Sequence, residues 1–231
     1  MAKKRSDDSK LKWKKKTWFD VLAPSEFNEK NVGEITADAP EDTIGRVIKV
    51  NLKFMTGNVK NKNYNAFLKV RKASASKVNT EMVGYEIMPN TLKRFVRKRK
   101  SKIDDSFIIK TKDDSFVRVK PILITKGKAT NSKKKAIRRK IREELYSFGK
   151  ENTYDDFVKK VVNQSIPKGL QKETYPIFPV TLAIIAKFRK KENLRKSKVE
   201  KVENEIEKYM KKSKQEDSDV EEKKEESSDS E

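Results

Sequence analysis

The stretch Gly45-Arg46-Val47-Ile48-Lys49-Val50-Asn51-Leu52 sets Ile48, Val50 and Leu52 on one side of an extended chain and Val47, Lys49 and Asn51 on the other. Successive side chains of a strand point to opposite faces, so this period of two predicts a strand with one face buried. Residues 66–72 repeat it, with Ala66, Leu68 and Val70 opposite Phe67, Lys69 and Arg71, and Val83, Tyr85 and Ile87 predict a third strand. Upstream, structure begins at Trp18-Phe19-Asp20-Val21, with Trp18 read as a core anchor. Gly33 and Pro40 then punctuate a loop-rich approach to the Gly45 strand.

Downstream, Pro89-Asn90-Thr91 reads as a helix start, because Asn or Thr can satisfy free amides there, and Leu92, Phe95, Val96 and Arg99 follow at helical spacing. Two further strands are predicted at 107–111 and 116–125, joined by a tight turn at Lys112-Asp113-Asp114-Ser115. Ser132 is a candidate cap for a helix whose Ile137, Ile141, Leu145 and Phe148 form one apolar stripe, closed by Gly149. Thr153 is a candidate cap for the next, with Phe157, Val158, Val161 and Val162 inward, and 170–175 adds a short helical turn before Pro176. The apolar run 180–188 fits a strand or a helix; its β-branched residues favour a strand returning to the sheet. Val199, Val202, Ile206 and Met210 space out a last helix, expected to be exposed.

Strands come first, helices after, and one strand late. The expectation is an α+β fold: a largely antiparallel β-sheet or barrel followed by a helical half, with a basic N-terminal arm and an acidic disordered C-terminal tail. By residue, that is a disordered arm over 1–16, a single α+β domain over 17–192, an exposed charged helix over 193–214 and the tail over 215–231.

The chain carries 57 Lys and Arg against 35 Asp and Glu, a net charge of +22. Residues 215–231 hold nine acids and two lysines, so the rest of the chain carries +29. Four blocks concentrate that charge, Lys10 to Lys16, Lys93 to Lys102, Lys126 to Arg142 and Lys187 to Lys198, with almost no acid inside them. A merely solvated helix would interleave acids for i,i+4 pairing. A compact domain holds so much like charge only when a polyanion neutralises it, so the implied partner is nucleic acid. The candidate contacts are Lys12, Trp13, Lys14, Lys15 and Lys16 in the arm; Arg46; Arg94, Arg97 and Arg99; Lys133, Lys134, Lys135, Arg138, Arg139 and Arg142; and Lys187, Arg189 and Lys190. With Ile137 and Ile141 buried, the cations of the third group are expected to fan over the outside of their helix. Trp13, alone among five lysines, is divided between stacking on a base and idle exposure.

Other chemistries find little support. Without His or Cys there are no nitrogen or sulfur zinc ligands, no His general base and no disulfide. Gly127-Lys128-Ala129-Thr130 lacks the upstream glycine of a phosphate loop, and no Gly-x-Gly occurs. The Asp pairs 104–105, 113–114 and 155–156 read as turn and cap residues, since adjacent side chains diverge. No catalytic residue, metal ligand or cofactor is assigned. A charged N-terminus without an apolar run argues against a secretory signal, and no segment approaches the ~20 apolar residues that span a bilayer. Helix-turn-helix, basic-zipper, zinc-finger and RNP-type signatures are all missing; basic blocks spread along the chain suit a protein embedded in a large folded RNA, read by phosphate and shape.

The opening Trp18-Phe19-Asp20-Val21-x-Ala23-Pro24-x-x-Phe27-Asn28, then Val32-Gly33, resembles the start of the S3Ae (unified name eS1) family of small-ribosomal-subunit proteins of archaea and eukaryotes. Gly45-Arg46-Val47, the hairpin around 111–116, Ile137-Arg138-Arg139-Lys140, Ile166-Pro167 and Tyr175-Pro176 follow in the family's order, over about 18–190. The resemblance implies a non-enzymatic, cytoplasmic ribosomal constituent on the platform of the small subunit. It would bind small-subunit ribosomal RNA near its 3′ end and the messenger exit side and touch neighbouring ribosomal proteins, with no membrane partner and no homo-oligomer. The short basic leader points to an archaeal-type member. The acidic tail is unassigned by the family: it reads as a solvating tail or as an intramolecular RNA mimic. A free-standing RNA-binding or RNA-chaperone protein is the first alternative, and a metal-dependent nuclease the second.

Overall fold

A computed structural model describes residues 16–74, 76–192, 199–200, 202–204 and 206–209. The expected arm, except Lys16, and the acidic tail lie outside the described residues. The chain divides into two compact units, Met1–Gly84 and Tyr85–Glu231. The fold class is α+β, as expected, but the strands form an open mixed sheet and not a barrel.

In the first unit, β1 (Thr17–Leu22) pairs antiparallel with β2 (Asn31–Ala37), Phe19 standing opposite Ile35. Local pattern predicts no strand at 31–37: Gly33 and mixed exposure blur its periodicity, and pairing to β1 is what extends it. Alternation along β1 buries Phe19 and Val21 and leaves Trp18 68% exposed, so Trp18 is no core anchor; Phe19 takes that place with Ala37, Val70 and Val78. The next strand, β3 (Val47–Asn51), is shorter than expected. Asn51 ends it by accepting the Lys53 amide at 3.0 Å and so starts a short helix, α1 (Leu52–Thr56), which Gly57 closes at φ 68°. Buried Leu52 and Met55, three apart, face the core. Strand β4 (Tyr64–Ala73) pairs antiparallel with β3 and also pairs β5 (Lys77–Ile87), in which the division between the units falls. A parallel pairing of Asp20–Leu22 with Lys77–Asn79 makes the sheet mixed.

The second unit opens with α2 (Pro89–Phe95), which stops four residues before Arg99: Val96 is extended and Arg99 sits at φ 65° in the turn that leads to β6 (Lys102–Asp104). Neither Asn90 nor Thr91 caps α2; Met88 is its N-cap residue, and Pro follows at the first position, where a missing amide costs nothing. Strands β6 and β7 (Phe107–Lys110) both pair antiparallel with one edge of β8 (Phe116–Thr125). The turn between β7 and β8 is closed by Thr111 and Ser115, with Asp114 at φ 54°.

Three helices follow. The first, α3 (Asn131–Glu151), begins after Thr130 rather than Ser132 and runs past Gly149 to Asn152. Gly149 therefore serves a close approach and not a helix end: a Cβ there would lie 2.8 Å from the Lys110 carbonyl oxygen. The buried stripe holds Tyr146 beside Ile137, Ile141 and Leu145, while Phe148 is half-buried. In α4 (Tyr154–Val162) Thr153 caps as expected, accepting the Asp156 amide, and Phe157, Val158, Val161 and Val162 are buried. The third, α5 (Ser165–Thr174), starts five residues earlier than expected, with Pro167 inside its first turn. The late apolar run is a strand, β9 (Val180–Lys191), antiparallel to β8. The pairing shifts register at Lys120/Pro121, where a residue without an amide proton is tolerated. Residues 199–200, 202–204 and 206–209 are helical, yet this helix is not simply exposed: Ile206 is buried and Tyr209 packs 5.8 Å from Tyr146.

Candidate nucleic-acid interface

The structure distributes the candidate cations over several elements. Lys12, Trp13, Lys14 and Lys15 lie outside the described residues; Lys16 is exposed where β1 begins. Arg46 is exposed just before β3 and donates from Nη1 to the Thr36 carbonyl at 3.0 Å, which aims it along the β2 side.

Arg94, Arg97 and Arg99 are all exposed, together with Lys93 and Lys98. The early end of α2 at Phe95 matters here. An extended, turning segment splays these side chains in several directions, whereas a helix would have stacked them at i,i+3 spacing.

On α3 the basic block splits in two. Its first turn stays open: Lys133 and Lys135 are exposed, Lys134 is half-buried, and Lys133 Nζ sits 5.2 Å over the Phe178 ring. The later turns are tied down. Arg138 donates to the Asp104 carbonyl at 3.2 Å, Arg139 pairs with Glu143 at 3.1 Å and Lys140 with Glu144 at 3.2 Å. Arg142 departs furthest from a fan over the outer surface. Its Nε and Nη2 donate to both Asp105 carboxylate oxygens, Nη1 reaches the Tyr209 hydroxyl at 2.9 Å, and the guanidinium lies over the Phe107 and Tyr209 rings. Hydrogen bonding to Asp105 raises the Arg142 guanidinium above its already high range. Acids that balance the block stand at 143 and 144, immediately beyond its end at Arg142.

On β9, period two separates the last three candidates. Arg189 is exposed, and Lys187 is on the same face, 3.1 Å from Glu86. Lys190 points the other way, its Nζ 4.6 Å over the Tyr154 ring of α4. Two cations outside the candidate set, Arg118 and Lys120, are both exposed on β8. They belong to no contiguous basic run; the alternation Phe116-Val117-Arg118-Val119-Lys120 is the signal that marks them.

The carboxylates are occupied structurally. Asp104 accepts from Lys102 at 3.0 Å, a bond that holds its carboxyl below the usual range, and Asp105 is taken by Arg142. Asp113 accepts the Tyr154 amide at 2.9 Å, and Asp155 and Asp156 lie in the first turn of α4, as the cap reading expects. Hydrogen bonds to Asp114 and Glu203 raise the Lys110 ammonium, linking β7 to the last helical stretch. A cleft of about 650 Å³ in the second unit is lined by both Asp104 and Asp105. Among the described residues no cluster of three or more His, Cys, Asp or Glu could hold a metal ion, and no helix is long and apolar enough to cross a membrane.

The scaffold is thus that of an α+β protein whose strand starts, turns, first turn of α3 and β8–β9 face carry exposed lysine and arginine. The chain belongs to the ribosomal S3Ae family, whose sequence pattern matches residues 2–193. It is 36% identical over 176 residues to the small ribosomal subunit protein eS1 of Nanoarchaeum equitans, covering 76% of this chain and 89% of the relative. The eS1 protein of Thermoplasma acidophilum is 31% identical over 179 residues, covering 78% of this chain and 83% of that one. For that of Saccharolobus islandicus the identity is 33% over 178 residues, covering 77% and 86%.

Proposed function

We propose that this chain is a structural, non-enzymatic constituent of the small ribosomal subunit of archaeal type, working in the cytoplasm. It binds small-subunit ribosomal RNA through dispersed lysine and arginine surfaces. The observation that carries the reading is the family match over residues 2–193, which runs across both compact units, so the relationship is not that of one shared module. The exposed cations support the RNA-binding part. Lys16, Arg46, the Arg94–Arg97–Arg99 turn and the first turn of α3 present charge that no carboxylate among the described residues takes up in an ion pair. Arg142 is left out of the proposed contacts, because its guanidinium is already committed to Asp105 and Tyr209. The arm over 1–15 adds further RNA contacts in this reading, and neighbouring ribosomal proteins adjoin the chain.

Sucrose-gradient fractionation of native lysate, with a high-salt wash, tests this. Recovery of the chain with the small subunit in near-stoichiometric amount after the wash is expected. A chain that stays at the top of the gradient, or washes off, overturns the ribosomal role and leaves a free-standing RNA-binding protein as the better account.

A further inference from the structure

The antiparallel register of β8 and β9 sets Arg118 directly opposite Arg189, and Lys120 directly opposite Lys187. Phe116 stands opposite Lys191 at the end of the same row. Directly opposed residues share a face and lie close together, and like charges so placed repel. Burial assigns the faces: Val117, Val119 and Phe188, the intervening residues, are buried, while Arg118, Lys120, Arg189 and Lys191 are exposed. Phe157 of α4 packs edge-on against Phe188 at 5.6 Å, so the helical layer covers the apolar face and the basic face looks away from it.

Elsewhere the chain solves the same cross-strand problem with opposite charges: Arg71 of β4 is ion-paired with Glu81 of β5. On the β8–β9 face the register opposes like charges instead, and Lys187 is answered by Glu86 of β5. Two successive like-charge rungs on paired strands, backed by buried Val117, Val119 and Phe188, hold four cationic residues in register on one face.

We propose that this β8–β9 face is a docking surface for an RNA backbone, with phosphates seated between the Arg118–Arg189 and Lys120–Lys187 rungs. Two arginines on one rung suit bidentate phosphate contact, and the lysines add point charge. The inference rests on the RNA-binding reading above and names a surface for it, one whose β8 half no contiguous basic block of the sequence marks.

The test uses the full chain and a 20-base-pair RNA duplex, with affinity measured across a salt series. The variant Arg118→Thr, Lys120→Thr, Arg189→Thr, Lys191→Thr is compared with one that removes the same charge from exposed Lys112, Lys150, Lys168 and Lys172 by change to Ser. Every phosphate left without its cation lowers the slope of log K against log salt by roughly 0.7–0.9. The face variant, with four cations removed, is expected to lose about 3 in slope and roughly tenfold or more in low-salt affinity while keeping a cooperative thermal melt. Glu86→Gln, which releases Lys187, is expected to tighten binding. Equal slopes for the two multiple variants overturn the proposal. Tighter binding of a synthetic peptide of residues 215–231 than of the duplex also overturns it, assigning the face to the chain's own acidic tail. Failure of the unaltered chain to bind RNA at low salt sinks the RNA-binding reading itself. Binding that persists with unchanged slope in the face variant sinks this surface alone.

Discussion

Arg142 on α3 clasps Asp105 with two parallel hydrogen bonds, Nε to Oδ2 at 2.6 Å and Nη2 to Oδ1 at 2.9 Å, and the Asp105 side chain is only 10% exposed. The pair pins α3 to the turn between β6 and β7, and Tyr209 closes over it from the last helical stretch. A guanidinium held this way ties α3 to the scaffold.

Removing Arg142 leaves the largely desolvated Asp105 carboxylate without its guanidinium, and removing Asp105 takes two charge-assisted hydrogen bonds from Arg142. Arg142→Ala and Asp105→Ala are each expected to destabilise by about 1–3 kcal/mol. A double-mutant cycle by denaturant unfolding should show that the two effects do not add. RNA affinity of the folded Arg142→Ala protein should be near that of the unaltered chain; a salt slope reduced by about one would instead make Arg142 a phosphate contact.

Gly149→Ala separates two readings of that glycine. Alanine in an exposed helix interior gains about 1 kcal/mol over glycine. Here its Cβ meets the Lys110 backbone oxygen at 2.8 Å, and backbone does not yield cheaply. Overpacking of this kind costs roughly 1–3 kcal/mol. A net fall in melting temperature is expected, and a rise would show that α3 moves freely away from β7.

The register of β1 is tested by a contrast of neighbours. Trp18→Ser should change stability by less than about 0.5 kcal/mol, as at an ordinary surface position. Phe19→Ala should cost about 3–5 kcal/mol, because Phe19 fills the cluster with Ala37, Val70 and Val78. Thermal melts giving the reverse order would mean the strand is shifted by one residue.

Thr153→Ala removes the oxygen that accepts the Asp156 amide at the start of α4. A loss of about 1 kcal/mol is expected. Thr153→Ser should restore most of it, and equal destabilisation by both variants would show that the methyl group matters instead.

Combined change of Arg94, Arg97 and Arg99 to Ser should leave unfolding unaltered within about 0.5 kcal/mol, since all three are exposed. RNA affinity should fall, most at low salt, with a shallower salt dependence. A lowered melting temperature would show that the turn holding Arg99 at φ 65° is structural.

Local pattern settled much of this molecule. Period two marked β3, β4 and β5, because a strand with one buried face must alternate, and β-branched residues tilted the run that becomes β9 towards a strand. Thr153 announced the start of α4, because a short polar side chain can accept an amide there. The Trp18–Asn28 motif pointed to the family, and the excess of lysine and arginine to a polyanionic partner.

What the tertiary structure decided was pairing. Strand β2 exists because β1 lies beside it, and Trp18 faces out because register puts Phe19 in. Arg142 and Lys190, taken along the chain, are cations like their neighbours; the fold gives them Asp105 and Tyr154, distant in sequence, as partners. Arg118 and Arg189, 71 positions apart along the chain, become one rung only when β8 and β9 align. Local sequence carries the propensity of each segment, but the charge a residue feels is set by whichever group the fold brings within a few ångströms of it.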